Sequence, residues 1–106
     1  MEKFYNKLVR DKIPDIIDSK PNQKCKTKIL TNEEYLFELN KKLQEEVKEY
    51  LESEEVEELA DIEEVLRAIL DAKNVSFEQF ESTRLSKIEK RGAFKNKIYL
   101  ESVDEK

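Results

Sequence analysis

Leu36, Leu39, Leu43, Val47 and Tyr50 recur at three- and four-residue spacing through a polar background, the period of a helix with one apolar face. Thr31-Asn32-Glu33-Glu34 stands ahead of this series. It has the form of a capping box, in which the Thr hydroxyl and the Glu carboxylate each satisfy a free backbone N–H. A long helix is therefore predicted from 32 to about 52. A second apolar series, Val56, Leu59, Ile62, Val65, Leu66, Ala68, Ile69 and Leu70, predicts a helix to about 73, ahead of Asn74. Ser53 is the expected N-cap, with Glu54 and Glu55 in the first turn, where the helix dipole favours negative charge. So tight a break predicts an antiparallel helical hairpin. Ser76-Phe77-Glu78-Gln79 is a further capping box, opening a helix to about Arg91 that Gly92 closes.

The flanks are less regular. Phe4, Leu8, Val9, Ile13, Ile16 and Ile17 are the apolar anchors of an ordered N-terminal arm over 4–18, with Pro14 in the first turn of a short helix ending near 18. Ser19, Pro21 and Asn22 mark a connector over 19–30. Beyond Gly92, Phe94, Ile98, Tyr99 and Leu100 suggest a short extended tail with a strand in it. The expected fold class is all-α, an antiparallel helical bundle with an ordered arm and an extended tail.

Composition agrees. Charged residues make up 42% of the 106, apolar residues 38%, and there are one Gly and two Pro. That balance favours long amphipathic helices in one domain, 1–106, with a modest core that a partner subunit completes. Cys25 is the only cysteine, which excludes an intramolecular disulfide and suits a reducing compartment. No apolar run reaches the roughly 20 residues of a membrane span, and Met1-Glu2-Lys3 opens no signal-like apolar region. A soluble, cytoplasmic protein is expected. The net charge of −5 is unevenly spread, at +4 over residues 1–28, −11 over 29–64 and +2 over 65–106. No region combines strong basicity with interleaved aromatics, so nucleic-acid binding is not expected.

The acidic centre holds two clusters, Glu45-Glu46-x-x-Glu49 and Glu58-x-x-Asp61, separated by residues 50–57. Acids three apart are neighbours on a helix, and each like-charge pair costs about 0.2–0.5 kcal/mol. With Leu39 at 0° on the first long helix, Leu43, Tyr50, Leu36 and Val47 fall between about 20° and 80°. Glu46 then lies at about −20°, within or beside that stripe, Glu49 on its border at about −80°, and Glu45 further out near −120°. With Val56 at 0° on the second helix, Glu58 and Asp61 lie at about −160° and 140°, inside a wide apolar arc. A helix apolar over such an arc is expected to be largely buried, and buried acids must be paired or bind a metal. Glu46, Glu49, Glu58 and Asp61 are the candidate ligands of a hard cation such as Mg²⁺, with Mn²⁺ an alternative. The competing reading is a charged hairpin whose acids pair with Lys and Arg.

Glu45-Glu46-Val47-Lys48-Glu49 followed by Glu58-Leu59-Ala60-Asp61 resembles the EExxE…ExxD motif of the MazG-like all-α nucleoside triphosphate pyrophosphohydrolases. Tyr5-Asn6-Lys7-Leu8-Val9-Arg10-Asp11-Lys12-Ile13-Pro14 and Lys90-Arg91-Gly92-Ala93-Phe94 look like the two ends of a compact, phosphoribosyl-ATP pyrophosphohydrolase-like branch of that family. Together these matches cover nearly the whole chain. The eight-residue spacer is short for the family, as in its compact members, and Ala93 stands where a second Gly is usual. The resemblance implies a helical bundle assembled as a homodimer or homotetramer. It also implies Mg²⁺-dependent cleavage of a nucleoside triphosphate between the α- and β-phosphates. By motif position, Glu46, Glu49, Glu58 and Asp61 are the implied ligands, and Glu45 supports them or positions water.

The residues suit that chemistry. The chain has no His, so a metal that acidifies water, with Glu45, Glu46 or Glu49 accepting the proton, takes the place of a histidine base. Lys7, Arg10 and Lys12 in the arm, and Lys87, Lys90 and Arg91 near the end, are candidates to neutralise the triphosphate. Their alternative role is solubility or pairing with the acidic helices, and Asp11 is a candidate to orient Arg10. Phe4, Tyr5, Tyr35, Tyr50 and Phe94 could contact a base, with core packing the default role for each. The leading expectation is housekeeping removal of non-standard or surplus nucleotides. The alternatives are hydrolysis of phosphoribosyl-ATP and a non-catalytic helical binding or assembly module.

Overall fold

The computed structural model describes residues 1–105 and is all-α. Its elements are α1 (Ile13–Asp18), α2 (Asn32–Ser53), α3 (Val56–Ala72) and α4 (Phe77–Arg91), with no strand among the described residues. The chain forms two compact units, Met1–Val75 and a second that begins at Ser76. No described helix is long and apolar enough to cross a membrane.

In the first unit the capping box of α2 forms as its sequence predicts. Thr31 Oγ1 accepts the Glu34 N–H at 3.2 Å, and the Glu34 carboxylate accepts the Thr31 N–H at 3.0 Å. The helix ends where Glu54 turns left-handed at φ 57°, its N–H still donating to the Tyr50 carbonyl. The expected cap at Ser53 does not form. Ser53 is the last residue of α2, and its hydroxyl accepts the Glu55 N–H at 3.2 Å. Glu55 holds the N-cap position of α3 without a side-chain cap, and Glu57 and Glu58 occupy the first turn in place of Glu54 and Glu55. A Ser caps only where the backbone leaves the helix, and here it leaves one residue later.

α2 and α3 pack on each other. Leu39 and Val65, 2% and 8% exposed, are the buried apolar residues of the described chain. Leu36, Leu43, Tyr50, Ile62, Leu66 and Ile69 are half-buried around them. The apolar arc of α3 is less buried than its width predicts, for Leu59 stays exposed. The arm is likewise held by part of its apolar set. Leu8, Ile13 and Ile17 are half-buried, whereas Phe4, Val9 and Ile16 are exposed. Pro14 lies in the first turn of α1. After α1 the Cys25 N–H donates to Asp18 Oδ1 at 2.7 Å, tying the connector back to the helix.

The second unit is built on α4. Ser76 and Gln79 form the predicted reciprocal cap. Gly92 closes the helix at φ 84°, a conformation that glycine adopts without strain, and its N–H donates to Ile88. The tail beyond has no regular secondary structure, and Phe94, Ile98, Tyr99 and Leu100 are exposed. The expected strand is absent because no neighbouring strand among the described residues pairs with its backbone.

Candidate metal centre

Glu46 points from α2 along the same stripe as Leu39, and at 7% exposed it is the buried charged residue of the described chain. Glu58 and Asp61, one turn apart on α3, are half-buried opposite it. One carboxylate oxygen from each of Glu46, Glu58 and Asp61 lies within 4.8 Å of the other two. A second group of the same tightness joins Glu45, Glu46 and Glu49, so Glu46 is shared by both. The spacing of the motifs explains the arrangement. Three- and four-residue steps keep acids on one helical face, and packing α2 on α3 brings the two faces together.

The phasing of α2 is largely realised. Glu46 is inside and Glu49 exposed at the border, while Glu45, placed furthest out by its angle, is half-buried within the group it forms with Glu46 and Glu49. Glu57, at about 100° from Val56 on α3 and outside the apolar arc, is exposed.

Two carboxylate oxygens, Glu46 Oε2 and Glu58 Oε2, are buried without a hydrogen-bond partner. Leaving the Glu46 oxygen so placed costs about 1–3 kcal/mol, and more when it is charged. The electrostatics agree. Burial pushes the Glu46 carboxyl above the usual range, and the hydrogen bond and charge of Glu49, with the charge of Asp61, push the same way against Lys42. Burial also raises Glu58, helped by the charges of Asp61 and Glu46 and opposed by a hydrogen bond with Glu49. The cluster therefore has too little positive charge for its acids.

Two cations are present. Lys42 Nζ lies 3.5 Å from Glu45 Oε1 and 3.5 Å from Glu46 Oε1. Arg10 Nη2 donates to Asp61 Oδ1 at 2.6 Å, across 51 residues of sequence. Lys42 escaped the sequence reading, although its position three and four residues before Glu45 and Glu46 is the spacing of helical ion pairs. Arg10 is engaged by Asp61 on α3 rather than by its neighbour Asp11. The charge of Asp11 instead acts on Tyr35, whose hydroxyl is raised by burial and by the charges of Asp11 and Asp71.

The other basic candidates are more dispersed. Lys7 lies over the Tyr5 ring, 5.9 Å from its centroid, and Lys12 holds the N-cap position of α1. Lys87, Lys90 and Arg91 are exposed on α4 in the second unit, the last two in its final turn. Among the aromatics, Tyr35 and Tyr50 are half-buried, while Phe4, Tyr5 and Phe94 are exposed and so take no part in a core.

The donor set around Glu46 is all carboxylate oxygen, with no imidazole or thiolate in either group. That chemistry fits a hard divalent ion, and the unpartnered oxygens of Glu46 and Glu58 supply free ligand atoms. No protein-family model matches the chain, and neither a curated protein nor a solved structure matches it.

Proposed function

We propose that this chain is a Mg²⁺-dependent nucleoside triphosphate pyrophosphohydrolase of the MazG-like kind, with α2 and α3 as its antiparallel hairpin. It cleaves between the α- and β-phosphates to give a nucleoside monophosphate and pyrophosphate. The observation that carries this reading is the buried, unpartnered oxygen of Glu46 facing Glu58 and Asp61. Such an arrangement is costly without a cation. The motif resemblance supplies the reaction.

In this reading Glu46, Glu58 and Asp61 hold the metal, with Glu49 completing the set from the border of α2. A divalent ion held there acidifies water and neutralises phosphate oxygens. Glu45, within 4.8 Å of Glu46 and Glu49 and half-buried, accepts the proton of the attacking water. Lys42 holds Glu45 and Glu46 in register, being within 3.5 Å of each. Arg10, Lys7 and Lys12 bring positive charge to the phosphates from the arm. The working form is a homodimer or homotetramer in the cytoplasm. In support, the first unit leaves Phe37, Leu51, Val56 and Leu59 exposed on α2 and α3.

The test offers the purified protein ribo- and deoxyribonucleoside triphosphates and phosphoribosyl-ATP with Mg²⁺, and identifies products by chromatography. Monophosphate and pyrophosphate are expected from nucleoside triphosphates. Glu46→Gln and Glu49→Gln should each lower kcat by about 100-fold or more, the scale of losing a positioned acid–base or electrostatic group. Preference for phosphoribosyl-ATP would move the substrate assignment. Absence of turnover on every compound, with Glu49→Gln behaving as wild type, would leave the chain as a binding or assembly module.

A further inference from the structure

Asp61 has two claims on it. It belongs to the carboxylate group of Glu46 and Glu58, and it accepts the short hydrogen bond from Arg10. The two cations near the site differ in how firmly they are held. Lys42 is 20% exposed and sits on the same helix as both its partners, so it stays tethered beside them. Arg10 is 59% exposed, Asp61 is 38% exposed, and Arg10 belongs to an arm held by few half-buried side chains. An ion pair this open contributes about 0–1 kcal/mol.

From this we propose that Arg10 is an exchangeable counter-ion of the site. A divalent cation entering among Glu46, Glu58 and Asp61 displaces Arg10 from Asp61, and the displacement frees the arm around it. The inference rests on the metal reading above and adds a coupling to it. A guanidinium within hydrogen-bond distance of Asp61 repels a second cation held by the same carboxylate, and the pair repulsion is larger than a surface ion pair can offset. The freed Arg10 carries a planar, permanently charged fork suited to phosphate oxygens. Metal loading and arming of the phosphate site thus become one event.

The test titrates Mn²⁺ into the intact protein by calorimetry and follows amide hydrogen exchange of Ile13 and Ile16, whose N–H groups donate to the Arg10 and Lys12 carbonyls. Arg10→Gln should bind Mn²⁺ about fivefold more tightly than wild type, the ratio that corresponds to an exposed ion pair of about 1 kcal/mol. In wild type, Mn²⁺ should speed exchange at Ile13 and Ile16, and Asp61→Asn should show the fast exchange with no metal added. Glu46→Gln should bind Mn²⁺ poorly and leave the arm protected at the same Mn²⁺ concentration. If Arg10→Gln binds no more tightly while Glu46→Gln still loses the ion, the coupling is wrong and the metal site stands. If wild type and Arg10→Gln both bind no Mn²⁺, the metal reading fails, and the coupling with it.

Discussion

Glu46 is where burial and charge conflict most sharply. Its carboxylate is enclosed, raised by burial and by Glu49, and keeps one oxygen unpartnered. In chelator-treated protein Glu46→Gln should therefore stabilise the fold, by about 1–2 kcal/mol, the scale of relieving an unsatisfied buried acceptor. Urea unfolding measures this, and Mg²⁺ should raise the wild-type midpoint more than that of the variant. The pH dependence follows from the same groups. Glu46 and Glu58 have folded-state pKa values above their unfolded ones, so the folded state binds more protons between the two values. Their contribution is fully favourable below the unfolded value of about 4.3 and is lost as pH rises through the folded values. Metal-free wild type should thus lose stability relative to Glu46→Gln as pH rises from about 4.3 towards neutrality. Saturating Mg²⁺ should reverse that trend, because the ion binds the ionised carboxylates. Unfolding midpoints of both proteins across that range, with and without Mg²⁺, check the sign. At this scale the sequence identified the acids through their motif and phase. It did not identify Lys42 or the Arg10–Asp61 pair, because a cation's partner depends on which helix face it meets.

The helices themselves are written locally. Capping boxes at Thr31 and Ser76 set the starts of α2 and α4, and Gly92 sets the end of α4. Thr31→Ala and Ser76→Ala should each cost about 1 kcal/mol, read as a lower urea midpoint. Ser53→Ala should change stability by less than about 0.5 kcal/mol, because Ser53 caps no helix. The difference between these serines and threonine shows where local reading reached its limit. A cap needs the right residue and also a backbone that leaves the helix there. At 53–56 a run of acids gave several equivalent places for the break, and the left-handed turn at Glu54 chose among them. The short strand suggested for the tail failed in a related way. Phe94, Ile98, Tyr99 and Leu100 have the composition of a strand, but strand formation is a property of a pair.

For the whole molecule, the shortage of buried apolar side chains matters most. Leu39 and Val65 are buried, while Val56, Leu59, Leu85 and Leu100 are among many left exposed. Light scattering should give a mass of two or more chains, and Leu59→Lys, on the uncovered part of the α3 arc, should lower it towards one. An unchanged mass on that substitution would place the contact elsewhere. The all-α class, the starts of α2 and α4, the end of α4 and the identity of the acids were determined by sequence alone, since they depend on periodicity and caps within a few residues. Tertiary packing decided which carboxylates meet. It brought Glu46 against Glu58 and Asp61, set Arg10 on Asp61 from far along the chain, and left Glu49 at the edge. These outcomes depend on the distance and rotation between α2 and α3, quantities that no local run of residues contains.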